Sequence, residues 1–179
     1  MKNNPIIAEI TGLYKILALQ PFRKTEGVSF DILPTNLVPK IDAVDRVIHK
    51  IRAVSPGPVG DVNEPWYMHP HQDDNLIVLQ GVRHVEIYTT RAHGRIESFT
   101  ITPERIEHNG KPLYDGPAML VWPRNVFHRI KSGENGSASI NLATHYDGID
   151  MRTNFNIYDL DIKTGKFRVI REGHLDQFI

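Results

Sequence analysis

The chain of 179 residues has no cysteine. That excludes a disulfide framework and any thiolate-held metal. Net charge is missing as well: 21 Lys plus Arg offset 21 Asp plus Glu, so no global field draws nucleic acid or an anionic membrane as principal partner. No stretch approaches the roughly 20 apolar residues needed to cross a bilayer. Residues 1–24 are broken by Glu9, Thr11, Gly12 and Lys15, unlike a secretion signal. There is no Gly-rich phosphate loop, Ser-His-Asp arrangement, repeat or charge block. These absences leave a soluble, cytoplasmic chain with a small-molecule partner as the expectation, and any metal it binds must be held by imidazole and oxygen.

What is present is a succession of short β-branched and aromatic runs. "GVSFDILP", "DRVIHKIRAV", "NLIVLQ", "RHVEIYTT", "RIESFTIT", "AMLVWP", "VFHRIKS", "SASINLATHY", "NFNIYDLDI" and "KFRVIRE" are separated by turn-forming "QGV", "HGR", "HNGKP", "SGENGS" and "KTGK". Such a series folds as an antiparallel sandwich or barrel. Residues 7–19 place Ile7, Ile10, Leu13 and Leu17 at spacings of three and four, which predicts one short amphipathic helix weakened by Gly12 and ended by Pro21. The Pro- and Gly-rich residues 55–65 read as a rim loop.

That loop leads into "HPHQDDNLIVLQG", residues 69–81. On an extended segment His69 and His71 point to the same side and can grip one ion. A third imidazole, His128, follows the hairpin-like "GPAMLVWPRNVFHRI". Asp74 is the better fourth ligand by chemistry; Asn75, or water completing a three-histidine site, is the alternative.

Among the remaining histidines, His84 and His145 fall on strands near this constellation and are candidates for acid or base. His49 either lines the barrel or faces water, and His93 and His108 sit beside turn glycines where solvent exposure is expected. Trp66 and Tyr67 can wall a planar or sugar-like ligand. Arg83 and Arg124 can pair with a carboxylate or phosphate.

The motif residues resemble those of the cupin superfamily: His69, His71 and Gly81 match its first motif, Gly116, Pro123 and His128 its second, over roughly residues 60–135. Asn63 stands for an expected glycine, Asn125 for the turn glycine and Ser132 for the last asparagine; Asn is the usual substitute for Gly in a left-handed turn. The resemblance implies an all-β, cupin-type double-stranded β-helix (jelly-roll barrel), residues 56–179, with a short N-terminal helix or arm from residues 1–55 packed on it. It also implies a homodimer and one divalent transition metal (Fe, Zn, Mn, Ni, Co or Cu). The function it implies is a metal-dependent small-molecule enzyme, with a dioxygenase taken first; the alternatives are a sugar or phosphosugar isomerase or epimerase, and a non-catalytic binding module.

Overall fold

The structure, a computed structural model, describes residues 4–38, 40–91 and 94–178. The chain starts with two strands, β1 (Ile6–Ile10) and β2 (Tyr14–Ala18), where the sequence predicts a helix. Gly12 sits at φ +78° between them, a left-handed conformation that turns the chain back instead of continuing a helix. The helical spacing is a by-product of burial on both faces of β2: Leu13 and Ile16 join the main apolar core, while Leu17 packs in a second cluster with Val38 and Met119. A strand covered on both sides loses its clean alternation.

A second hairpin follows, β3 (Gln20–Thr25) and β4 (Val28–Ile32), paired only with each other among the described residues. Then come β5 (Ala43–His49), β6 (Val54–Ser55) and β7 (Trp66–Met68), and the long β8 (Gln72–Tyr88). Three short strands, β9 (Glu97–Thr102), β10 (Arg105–His108) and β11 (Lys111–Asp115), lead to β12 (Ala118–Trp122) and the long β13 (Phe127–His145). A single helical turn, α1 (Met151–Asn154), precedes the terminal hairpin of β14 (Ile157–Asp161) and β15 (Lys166–Arg171). Thirteen of these strands form one antiparallel sheet. No helix of the described residues is long and apolar enough to cross a membrane.

The two long strands wrap the barrel. β8 pairs with β13 along most of its length, with β12 on its first half and with β9 on its second. The "QGV" and "SGENGS" segments, which read as turns, are irregularities inside these continuous strands. Gln80 faces Ala138 but Val78 faces Ser139, so Leu79 is one extra residue on β8, a β-bulge. Its consequence is a switch of parity. Asp74, Leu76 and Val78 point inward before it; Arg83, Val85 and Ile87 point inward after it. Gly81 keeps the bulge closed: it lies at φ +73°, and a Cβ there would meet the Gly136 carbonyl oxygen at 2.1 Å.

The main core gathers Leu76, Val85, Ile87, Phe99, Ile101 and Leu120, each contributing about 1.5–3 kcal/mol by burial. At its edge Glu97 is wholly buried and accepts from Arg95 Nε (2.7 Å), Asn109 Nδ2 (2.8 Å) and His108 Nε2 (2.6 Å). Burial alone would raise this carboxyl, yet hydrogen bonds from Asn109, Arg95 and His108 outweigh it and hold the group lowered. His108 is therefore hydrogen-bonded to Glu97 and half-buried rather than exposed; His93 lies outside the described residues.

Candidate functional site

Three buried side chains converge inside the barrel: His69 just after β7, Asp74 near the start of β8 and His128 at the start of β13. The hairpin between β12 and β13 makes the meeting possible. Asn125 takes the left-handed conformation, φ +64°, and its backbone N–H donates to the His69 carbonyl at 2.8 Å. Asp73 ties the same turn down, accepting from the Arg124 backbone N–H (2.7 Å) and the Tyr146 hydroxyl (2.7 Å). The His69 and His128 rings lie 4.9 Å apart, walled by Tyr67, Trp122 and Phe155.

The polar groups of the cluster are held from behind. Asp74 Oδ1 accepts from Gln72 Nε2 (2.8 Å) and Asn141 Nδ2 (2.7 Å), and Asn154 Nδ2 donates in turn to Gln72 Oε1 (2.9 Å). Asp74 Oδ2 has no hydrogen-bond partner and lies 3.4 Å from His69 Nε2. On the other side of the ring, His69 Nδ1 meets the Asn154 backbone carbonyl. A carbonyl only accepts, so Nδ1 carries a hydrogen and a neutral ring would aim the Nε2 lone pair at a carboxylate oxygen. Two facing lone pairs call for a positive centre between them. Either a proton shared between them or a metal ion meets that need. His128 is different: burial, with the neighbouring His69 adding to it, pushes its ring down to about 4, so it is neutral at pH 7.

These residues open on a cavity of about 330 Å³, at the small end of the usual range for ligand pockets, roughly 300–1,000 Å³. Arg83 and His49 line it too. His49 thus belongs to the barrel interior, where burial and then the Arg83 charge push its ring down to about 4.

The structure brings together only part of the constellation expected from sequence. His71 is outside it. Residues 69–71 form a bend instead of a strand, so the same-side rule for i and i+2 fails, and the His71 ring packs at Gly148. Asp74 faces the cavity, whereas Asn75 is turned away and donates to the Leu142 carbonyl at 2.5 Å. His84 follows the bulge with outward parity; it is exposed and contacts Thr100 Oγ1 at 3.2 Å. His145 sits at the far end of β13, with its backbone N–H on Asp42. Neither lines the cavity. Tyr67 and Arg83 do, but Trp66 lies buried beneath the Arg129 guanidinium (4.3 Å) and Arg124 stacks on Tyr146 (4.3 Å), both outside it. Sequence reasoning missed Gln72, Asn141 and Asn154. Gln72 carried a signal, two positions from Asp74 on one strand face; Asn154, in a later helical turn, carried none.

No family model matches the chain, and no curated protein matches it in sequence. Solved structures do match in shape. A dTDP-4-dehydrorhamnose 3,5-epimerase from Sulfolobus tokodaii superposes with a TM-score of 0.57 at 14% identity, covering 82% of this chain and 78% of its own. The fold is the cupin jelly roll. A dTDP sugar isomerase from Desulfovibrio desulfuricans G20 (TM-score 0.55, 17% identity, 79% and 85% covered) has the same cupin architecture. So does a sugar 3,4-ketoisomerase from Thermoanaerobacterium thermosaccharolyticum in complex with TDP (0.54, 11%, 76% and 84%).

Proposed function

We propose that this cupin is a small-molecule isomerase or epimerase that moves a proton on a sugar-like substrate next to a carbonyl, in place of the dioxygenase reading taken first from sequence. The observation that carries it is the buried His69–Asp74 pair, 3.4 Å apart, beside His128 on the wall of the cavity. The functions of the structural neighbours, a 3,5-epimerase, a sugar isomerase and a 3,4-ketoisomerase, support the same chemistry. His69 exchanges the proton at Nε2, and Asp74 stabilises the ring while it is charged. The Asn154 carbonyl fixes the ring's orientation, and Gln72 with Asn141 fixes the carboxylate. His128, neutral, accepts a hydrogen bond from a substrate hydroxyl. Proton transfer of this kind contributes typically about 10²–10⁴-fold to rate.

A second reading rests on Asp74 Oδ2, buried without a partner. One ligand atom from each of His69, Asp74 and His128 lies within 4.8 Å of the others, and two imidazoles with one carboxylate suit a divalent transition metal. Held there, such an ion would supply Lewis-acid polarisation of a substrate oxygen. The metal set is then His69, Asp74 and His128, without His71.

The experiment is deuterium wash-in. Protein stripped with chelator, and the same protein reloaded with Fe, Zn, Mn or Ni, is incubated in D2O with a dTDP-4-keto sugar and with free ketoses, and the carbon-bound protons are followed by NMR. Exchange in the stripped protein supports the proton reading; exchange only after reloading supports the metal reading. Binding with no exchange in either sample contradicts both and favours a binding module.

A homodimer belongs to the same proposal. The β3–β4 hairpin leaves Phe22 70% and Phe30 46% exposed and, among the described residues, pairs with no other strand of its own chain. A second copy is the occupant that the cupin resemblance implies for such an apolar arm.

A further inference from the structure

Arg83 is a buried cationic side chain on the cavity wall. It is 1% exposed, yet among the described residues its only hydrogen bond is from Nη2 to the Val47 carbonyl at 3.0 Å, and Nε has no partner there. Of the two carboxylates that share the cavity, Asp74 accepts from Gln72 and Asn141, and Asp45 is engaged by Asn141 at 3.3 Å. His49, on the same wall, has its buried Nδ1 without a partner as well. Burial pulls the guanidinium down to about 10, which still leaves it charged at pH 7. An unpaired buried charge is costly. It persists here because the Leu79 bulge turns residue 83 inward; without that extra residue the side chain would reach solvent.

We propose that Arg83 is the anion-recognition residue of the cavity, binding a carboxylate or phosphate carried by the small molecule whose reacting end lies at His69, Asp74 and His128. A guanidinium suits a planar oxyanion because its adjacent N–H groups donate in parallel. His49 Nδ1 offers a further polar contact on the same wall. The substrate class that follows is an acidic or phosphorylated small molecule, not a neutral sugar. The proposal stands on Arg83 and the cavity, whichever positive centre sits between His69 and Asp74.

The test reads Arg83 directly. In 15N-labelled full-length protein the Arg83 Nε–Hε resonance is followed during titration with acetate, inorganic phosphate and chloride at matched ionic strength, with no substrate present. A saturable shift is expected with acetate, phosphate or both, at least tenfold tighter than with chloride; in Arg83→Lys, where that resonance is gone, anion binding followed on the backbone amides of residues 47, 49 and 83 should weaken at least fivefold while the melting curve stays native. Acetate alone would assign a carboxylate, phosphate alone a phosphate. A shift with neither anion, or one matched by chloride, overturns the proposal, and the wild-type titration decides this even where Arg83→Lys fails to fold. Because the readout is binding, it fails or succeeds independently of deuterium exchange.

Discussion

Replacing Gly81 with alanine tests how the fold aims the site. A Cβ at this position would lie 2.1 Å from the Gly136 carbonyl oxygen and 3.1 Å from Ser137 Cα, where an ordinary carbon–oxygen contact is about 3.3 Å or more. The strands must therefore part by roughly 1 Å. Gly136 itself packs close to β5, where even an added Cβ would lie 2.7 Å from the His49 carbonyl oxygen, so there is little room on that side. The left-handed backbone at φ +73° costs alanine about 1 kcal/mol, and overpacking adds about 1–3 kcal/mol. A total near 3 kcal/mol lowers Tm by about 6–12 °C in a domain of this size. Gly27→Ala is the control, because Gly27 has φ +71° with nothing within 4 Å and should lose only about 2–4 °C. Calorimetry on both variants separates conformation from contact. Equal melting temperatures for the two would refute the account of the bulge.

Three other outcomes follow from the structure. His49 is held down to about 4 by burial and Arg83, below its unfolded value of about 6.5. Between those pH values the unfolded chain binds more protons, so this residue's share of stability is present above about pH 6.5 and lost toward about pH 4; urea melts should show a shallower acid slope in His49→Gln than in wild type. Analytical ultracentrifugation at micromolar concentration should give a dimer, and Phe22→Ser with Phe30→Ser should shift it to monomer; a wild-type monomer contradicts the dimer. Under the metal reading, elemental analysis should find bound metal lost in His69→Ala, Asp74→Ala and His128→Ala but retained in His71→Ala, because His71 packs at Gly148.

The barrel was legible because its strands carry β-branched runs, and because Gly81, Gly116 and Asn125 mark backbone that only certain residues adopt. His69 and His128 were legible through the same turn. Three features were hidden. The apparent helix at residues 7–19 was a hairpin whose second strand is buried on both faces. His71 lost its expected direction because Pro70 and its neighbours bend where extension was assumed. The inward turn of Arg83 depended on one extra residue in a run that is apolar at both parities, so no alternation in "NLIVLQG" could reveal it. The groups that hold His69 and Asp74 in place come from residues 72, 141 and 154, and only tertiary structure joins them.

The most direct test of the central claim is the rate of deuterium wash-in to a bound keto sugar by wild type, His69→Gln and Asp74→Asn. Asn can keep the Oδ1 contacts to Gln72 and Asn141 while removing the charge beside His69. The account predicts exchange in wild type and a fall of about 10²-fold or more in each variant, with the folded state intact by circular dichroism. Exchange that persists at the wild-type rate in both variants would contradict it.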